Sequence, residues 1–265
     1  MFSWLHNFNP NPVLVSLGPI NLYWYGFFIV LGIIAALSLA LYLGKKNSID
    51  KNKVWDLAFY LVLFGIIGAR IYEIFLELPY YLRNPLQIIK IWEGGLAIHG
   101  GIIAGIIVLV VFAKKNQLSF WKLGAIFAPG IALGQAIGRF GNWFNQELFG
   151  LSTNLPWGIP IPLMKRPLEF ISFEYFHPTF LYESLGSLLI AILLVIIIKR
   201  NNNLSDVLSQ KVVLLYLFLY SWLRFLLEFI KIDKTPEFIG LRWPQIISLL
   251  IICLVVFIYQ KRKNV

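Results

Sequence analysis

The sequence predicts an all-α polytopic membrane protein, a bundle of about seven transmembrane helices with a small external cap region, and three observations carry that prediction. Hydrophobic residues fill 58% of the 265 positions and charged residues only 14%, which lies outside the range of soluble domains. The apolar residues are gathered into segments that approach the roughly twenty residues needed to cross the hydrocarbon core. The basic residues behind the formal net charge of +10 cluster at the ends of those segments, so they read as topology signals and anionic-lipid contacts rather than a nucleic-acid surface.

Taken in order, MFSWLHNFNPNPVLVSLGPI at the start carries no lysine or arginine. It lacks the positive region of a cleaved signal peptide and is expected to be kept as an external lead-in. The spans follow at Ile20 to Leu43, Val54 to Leu76, Leu96 to Ala113, Leu123 to Phe144, Thr179 to Ile198, Val212 to Ile230 and Pro244 to Tyr259. The whole of 1–265 is expected to be a single integral membrane domain.

One set of alternate loops holds Lys45, Lys46, Lys51 and Lys53, then Lys114, Lys115 and Lys122, then Lys199, Arg200 and Lys211, and the tail Lys261, Arg262 and Lys263. The opposite set is sparser: Arg83 and Lys90, Lys165 and Arg166, then Lys231, Lys234 and Arg242. Basic residues favour the cytoplasmic side, so the N terminus is expected outside and the C terminus inside. The external segment 145–178 is too long and too rich in Pro, Gly and aromatic residues for a simple turn, and it is expected to cap the spans. Its stretch Leu168 to Phe176 fits short strands or an interfacial segment. Cys253, the sole cysteine, allows no intrachain disulfide and reads as packing within the last span. No internal repeat of the kind found in many transporters is evident.

The polar exceptions to this pattern define the candidate site. GRFGNWFNQELFG, residues 138–150, closes the fourth span with an arginine among glycines, asparagines, a glutamine and a glutamate. A charge at the bilayer centre costs roughly 3 kcal/mol on insertion scales, so Arg139 should face protein, water or a ligand. If the helix continues, Gln135, Arg139, Asn142 and Gln146 stack on one face. The structural alternative is a glycine-rich helix contact with Arg139 paired to Glu147.

Topology gathers other polar residues toward the same leaflet. Tyr25 opens the first span, His99 with Gly100 and Gly101 the third, and His177, Tyr182 and Glu183 the fifth. In the sixth, Tyr220, Arg224 and Glu228 recur at helical spacing, so Arg224 has a carboxylate one turn away and a self-neutralising pair is the structural reading. Arg70, with Glu73 and Glu77 on one face of the second span, reads as an internal ion pair. His99 is a candidate general base near neutral pH, and its sequence neighbours offer no metal-ligand spacing. Two arginines among amides and tyrosines at head-group depth suit a phosphate, which the planar guanidinium fork binds bidentately. An anionic phospholipid head is therefore the expected ligand. A transporter or binding protein for an anionic lipid or solute is the alternative, but the inner halves of the spans read as nearly unbroken Leu, Ile, Val and Ala.

These blocks resemble the bacterial prolipoprotein diacylglyceryl transferase family. GRFGNWFNQELFG resembles its signature, and NLYWYGFFIVLG, GARIYEIF, WEGGLAIHGG, HPTFLYES and YSWLRFLLEF are similar to family blocks in family order. The resemblance implies a seven-span bacterial plasma-membrane enzyme without metal or dissociable cofactor. Such an enzyme moves the diacylglyceryl group of phosphatidylglycerol to the lipobox cysteine of a prolipoprotein, forming a thioether and releasing glycerol phosphate. It further implies that Arg139 and Arg224 bind phosphatidylglycerol and, with His99 as the proposed base and Tyr220, make up the catalytic set, and that Tyr25 and Tyr220 lie near the head group. Asn142, Glu147 and Gly150 fall on signature positions, and Gly100, His177 and Glu228 complete the expected substrate-binding set. The external segment is short beside the family pattern.

Overall fold

The computed structural model describes residues 3–18, 20–201 and 203–263; Met1, Phe2 and Pro19 of the lead-in and Asn264 and Val265 of the tail lie outside the described residues. The elements in chain order are α1 (Ser3–Asn7), β1 (Val13–Leu17), β2 (Ile20–Tyr23), α2 (Trp24–Lys46), α3 (Lys51–Leu76), α4 (Leu78–Arg83) and α5 (Ile98–Lys115). Then come α6 (Phe120–Asn145), β3 (Ile159–Pro160), β4 (Tyr175–Phe176), α7 (Thr179–Arg200), α8 (Asp206–Leu227), β5 (Glu237–Phe238), β6 (Leu241–Arg242) and α9 (Trp243–Lys263). Among the described residues, α2, α3, α5, α6, α7, α8 and α9 are long and apolar enough to cross a membrane, which makes the chain an all-α polytopic membrane protein. The last turns of α2, α5 and α7 carry Lys45 and Lys46, Lys114 and Lys115, and Lys199 and Arg200.

Several boundaries differ from the hydropathy reading for local reasons. The first helix starts at Trp24 rather than Ile20, because residues 20–23 pair antiparallel with Val13–Leu17 around a turn in which Gly18 takes φ +60°. The second begins earlier, at Lys51, since the Asp50 carboxylate accepts the Asn52 amide proton at 2.9 Å and caps it. The sixth is displaced toward its start and ends at Leu227, short of Ile230. Cys253 is exposed on α9 instead of packed within the fold.

The chain divides into two compact units. The first comprises Met1–Leu39, Phe127–Asn202 and Lys211–Val265. Here small residues bring α2 and α6 into backbone contact: a Cβ on Gly130 would stand 2.6 Å from the Ala36 carbonyl oxygen, and one on Gly32 3.0 Å from that of Gly134. In this unit residues 145–178 pack with α1, the end of α6 and the start of α7 around an apolar core of Leu5, Trp143, Phe149, Ile159, Ile161, Phe176 and Phe180. Trp143 stacks on Phe180 with ring centres 5.2 Å apart. Within 168–176 only Tyr175 and Phe176 form a strand, paired with β3, while 168–170 make a single 3-10 turn.

The second unit comprises Ala40–Ile126 and Asn203–Gln210. Its centre is the crossing of α3 and α5, where Gly68 and Gly100 lie so close that a side-chain carbon on either would collide with the other helix.

Candidate active site

The polar centre of the first unit is Glu183, which the sequence placed near the other candidates but without a role. Its carboxylate, 1% exposed on the first turns of α7, holds three cations. Oε1 accepts from Arg139 Nη2 of α6 and, at 3.3 Å, from the Tyr220 hydroxyl of α8. Oε2 accepts from Arg224 Nη1 at 2.9 Å and lies 3.5 Å from Lys231 Nζ. A lone buried carboxylate would be costly, and these partners supply the compensation its desolvation demands.

The structural alternative for Arg139 is thereby corrected, and the one for Arg224 is found beside a second, nearer partner. Arg139 pairs with Glu183 and not with Glu147; it donates Nη1 to Asn142 Oδ1 at 3.3 Å, and Asn142 Nδ2 in turn donates to Glu147 Oε1 at 2.8 Å. Arg224 does reach Glu228, but at 3.5 Å, longer than its bond to Glu183. Glu228, fully buried just past the end of α8, also holds Arg242 at 3.1 Å. Arg242 further donates to the backbone oxygens of Glu228 at 3.0 Å and Lys231 at 2.8 Å. Arg139, Arg224, Lys231 and Arg242 thus share Glu183, Glu228 and, at 3.7 Å from Arg242, Asp233, four cations against three carboxylates, which leaves one positive charge to spare for an anion.

The other expected residues fall around this cluster in different ways. Tyr25 lies against the α6 backbone because Gly141 has no side chain; a Cβ there would meet Tyr25 Cα at 3.1 Å. It sits within electrostatic reach of Glu147 and Arg139. The stripe on α6 holds for Gln135, which accepts from Tyr216 at 3.1 Å, and for Arg139 and Asn142. Gln146 leaves it, since the helix ends at Asn145 and Gln146 takes φ +50° and turns to Asn9.

Gly150 forms a bridge with Lys231, and a Cβ on it would stand 2.7 Å from the Ile230 oxygen and 2.9 Å from His177 Cβ. It is the position that lets the 145–178 segment pass close to the backbone of Ile230 and Lys231. His177 lies 3.1 Å from the Tyr182 hydroxyl, which accepts the Trp157 indole proton at 2.8 Å. Burial lowers the His177 pKa below the ordinary histidine value. Burial likewise lowers that of Lys231, where the Glu183 carboxylate opposes it and Arg224 and Arg139 add to it.

His99 and Gly100 belong to the second unit. The His99 ring centre is 6.0 Å from that of Tyr72. Gly100 is buried at the crossing with Gly68, where its missing side chain serves helix packing. Arg70 does not form the expected pair with Glu73 or Glu77. Its guanidinium instead gathers the backbone oxygens of Gln87, Ile88, Gly94 and Gly95. Among the described residues no group of three or more His, Cys, Asp or Glu is gathered as a metal site.

Sequence reasoning gave no role to Glu183, Lys231 or Arg242. The signal for Glu183 was present: a carboxylate inside an apolar span demands a cationic partner. Lys231 and Arg242 were counted as external loop charges, and nothing in their local sequence sets them apart from topology signals.

A family model described as prolipoprotein diacylglyceryl transferase matches residues 12–260. A phosphatidylglycerol–prolipoprotein diacylglyceryl transferase of Nostoc sp. is 43% identical over 243 residues, covering 91% of this chain and 85% of that protein. Enzymes of the same name from Synechocystis sp. and Synechococcus elongatus are 41% and 40% identical over 262 residues, each covering 97% of this chain and 92% and 90% of theirs.

Proposed function

Since the chain belongs to the prolipoprotein diacylglyceryl transferase family, we propose that it transfers the diacylglyceryl group of phosphatidylglycerol to the lipobox cysteine of a prolipoprotein, with the Glu183 cluster gripping the phosphate. The observation that carries the assignment is one buried carboxylate binding guanidinium groups from two helices, whose side chains remain 20% and 21% exposed. Their remaining N–H donors meet the phosphodiester oxygens, as charge-assisted bonds that gain strength where water is scarce.

Glu183 holds Arg139 and Arg224 in place before the lipid arrives, so little reorganisation is needed as charge develops. The substrate thiol, with an ordinary pKa of about 8.5, must lose its proton before it attacks, and the base we propose is His99, on the family resemblance of its sequence block. The sulfur then attacks the glyceryl carbon that bears the phosphate. The carbon–sulfur bond forms as the carbon–oxygen bond breaks, and the electron pair leaves on the phosphate oxygen, where the arginines and Lys231 stabilise it. Glycerol phosphate departs and the thioether stays on the peptide.

The cluster sits at the end of α6, the start of α7 and the end of α8, whereas the basic last turn of α7, with Lys199 and Arg200, marks the opposite end of that helix. That distribution supports a site open to the outer leaflet of a bacterial cell membrane. Purified protein incubated with phosphatidylglycerol and a lipobox peptide tests the proposal by mass: the peptide gains a diacylglyceryl group and glycerol phosphate appears in equal amount. No gain, or a gain that persists undiminished in Arg139→Ala, overturns it.

A further inference from the structure

We propose that Arg70 is a positioning residue for His99, acting through the loop that its guanidinium organises; the catalytic part of this inference rests on the reading of His99 as base. Arg70 lies on α3, 7% exposed, with Nε 2.9 Å from the Ile88 oxygen and Nη1 2.8 and 2.7 Å from those of Gly94 and Gly95. Nη2 donates to Gln87, and the Tyr81 ring stacks beneath the guanidinium with its centre 5.0 Å from Cζ. A planar fork can meet four oxygens from several directions at once; an ammonium cannot.

The loop is shaped for this grip. Gly94 and Gly95 take φ +98° and +73°, which lets consecutive carbonyls turn onto one nitrogen, and a side chain on Gly95 would strike Arg70 Nη1. The loop's large apolar side chains do not hold it, for Leu86, Ile89 and Trp92 are 74%, 68% and 74% exposed. Its anchorage is through backbone oxygens to one arginine.

That loop runs directly into His99. Ala97 N–H donates to the Ala69 oxygen at 3.1 Å, from the residue beside Arg70, and the next residues open α5. The first turn of α5 has no side-chain cap of its own. Its placement comes from α3: Arg70 holds the approach, Ala69 the cap residue, and Gly68 the backbone of Gly100. His99 stands between the last two points, with Tyr72 of α3 beside its ring. A shift of about 1 Å in a reacting group can cost about 10²-fold in rate, so this hold matters for a base more than for a packed residue.

The test uses the full chain in phosphatidylglycerol-containing nanodiscs with carbon-labelled histidine. The chain has three histidines, and the His99 signal is identified by its absence in His99→Gln. Arg70→Lys keeps the charge and loses the fork; Gly95→Ala keeps Arg70 and displaces the loop. Both are expected to shift or broaden the His99 signal while His6 and His177 stay in place, and to lower kcat about tenfold or more with KM for phosphatidylglycerol within about twofold. If Arg70→Lys fails to insert, Gly95→Ala carries the same readings. An unmoved His99 signal overturns the inference, as does a uniform movement of all three signals, which would mark a general loss of structure. The shift does not require His99 to do chemistry, so a His99→Gln protein at full rate would remove the base reading and leave Arg70's hold on His99 separately measurable.

Discussion

Replacing Arg139 by alanine removes one of the three cations on the Glu183 carboxylate and leaves Arg224 at 2.9 Å, Lys231 at 3.5 Å and the Tyr220 hydroxyl at 3.3 Å. The buried charge therefore keeps partners. The fold loses the Arg139 bonds to Glu183 and Asn142, of which the one to the carboxylate is worth about 1.5–3 kcal/mol, so the protein is expected to stay inserted with a lowered melting temperature. The reaction loses more. Deleting a preorganised donor at a developing negative charge costs about 2.7–4 kcal/mol, or about 10²–10³ in kcat. Arg139→Lys should recover only part of this, because a single ammonium cannot reproduce the fork that serves Glu183 and Asn142 while offering donors outward. Initial rates of mass gain on a lipobox peptide, beside thermal unfolding of the same preparations, separate the two effects. An inserted Arg139→Ala protein within about threefold of the parent rate, or a rate that falls only with the folded fraction, would refute the reasoning.

Glu183→Gln leaves Arg139, Arg224 and Lys231 around a neutral amide, and unpairing buried ions costs about 3–5 kcal/mol; its melting temperature should fall well below that of Glu147→Gln, whose carboxylate is exposed, and equal values would contradict the hub. His99→Gln is expected to lower kcat about 10²-fold without lowering the melting temperature, and full activity would exclude His99 as the base. Gly150→Ala forces a carbon to within 2.7 Å of the Ile230 oxygen, so a loss of about 1–3 kcal/mol should appear in thermal unfolding, and parental stability would show that the segment has room to move. His177, its pKa lowered by burial, contributes stability that is present above the unfolded value of about 6.5 and lost as pH falls through the folded one. The parent should therefore lose more stability between neutral and acid pH than His177→Gln, and identical losses would assign the acid limb elsewhere.

The seven helices and the two arginines were legible because hydrocarbon permits few exceptions: an apolar run of the right length spans, and a charge inside it needs a reason. The pairing was not legible. Spacing offered Glu147 to Arg139, Glu228 to Arg224, and Glu73 or Glu77 to Arg70, since those carboxylates lie within a few turns. The structure gives Arg139 to Glu183 from another helix, adds Glu183 to Glu228 as the nearer partner of Arg224, and gives Arg70 backbone oxygens. Local spacing records which groups share a helix face and is blind to what a neighbouring helix brings. Lys231 and Arg242 were hidden for a related reason, because a basic residue in a loop counts equally as a topology signal whether it faces water or a buried carboxylate. The role of Gly100 lay in the same gap, since a glycine beside a histidine reads alike whether it faces a ligand or the backbone of Gly68.

On the proposed mechanism Arg139 and Arg224 act as one clamp on the departing phosphate. A double-mutant cycle on kcat/KM for phosphatidylglycerol, with Arg139→Ala and Arg224→Ala alone and together, measures it most directly. The double variant is expected to lose scarcely more than the worse single one, since either loss already frees the phosphate from its grip. Losses that multiply, as for independent sites, would contradict it.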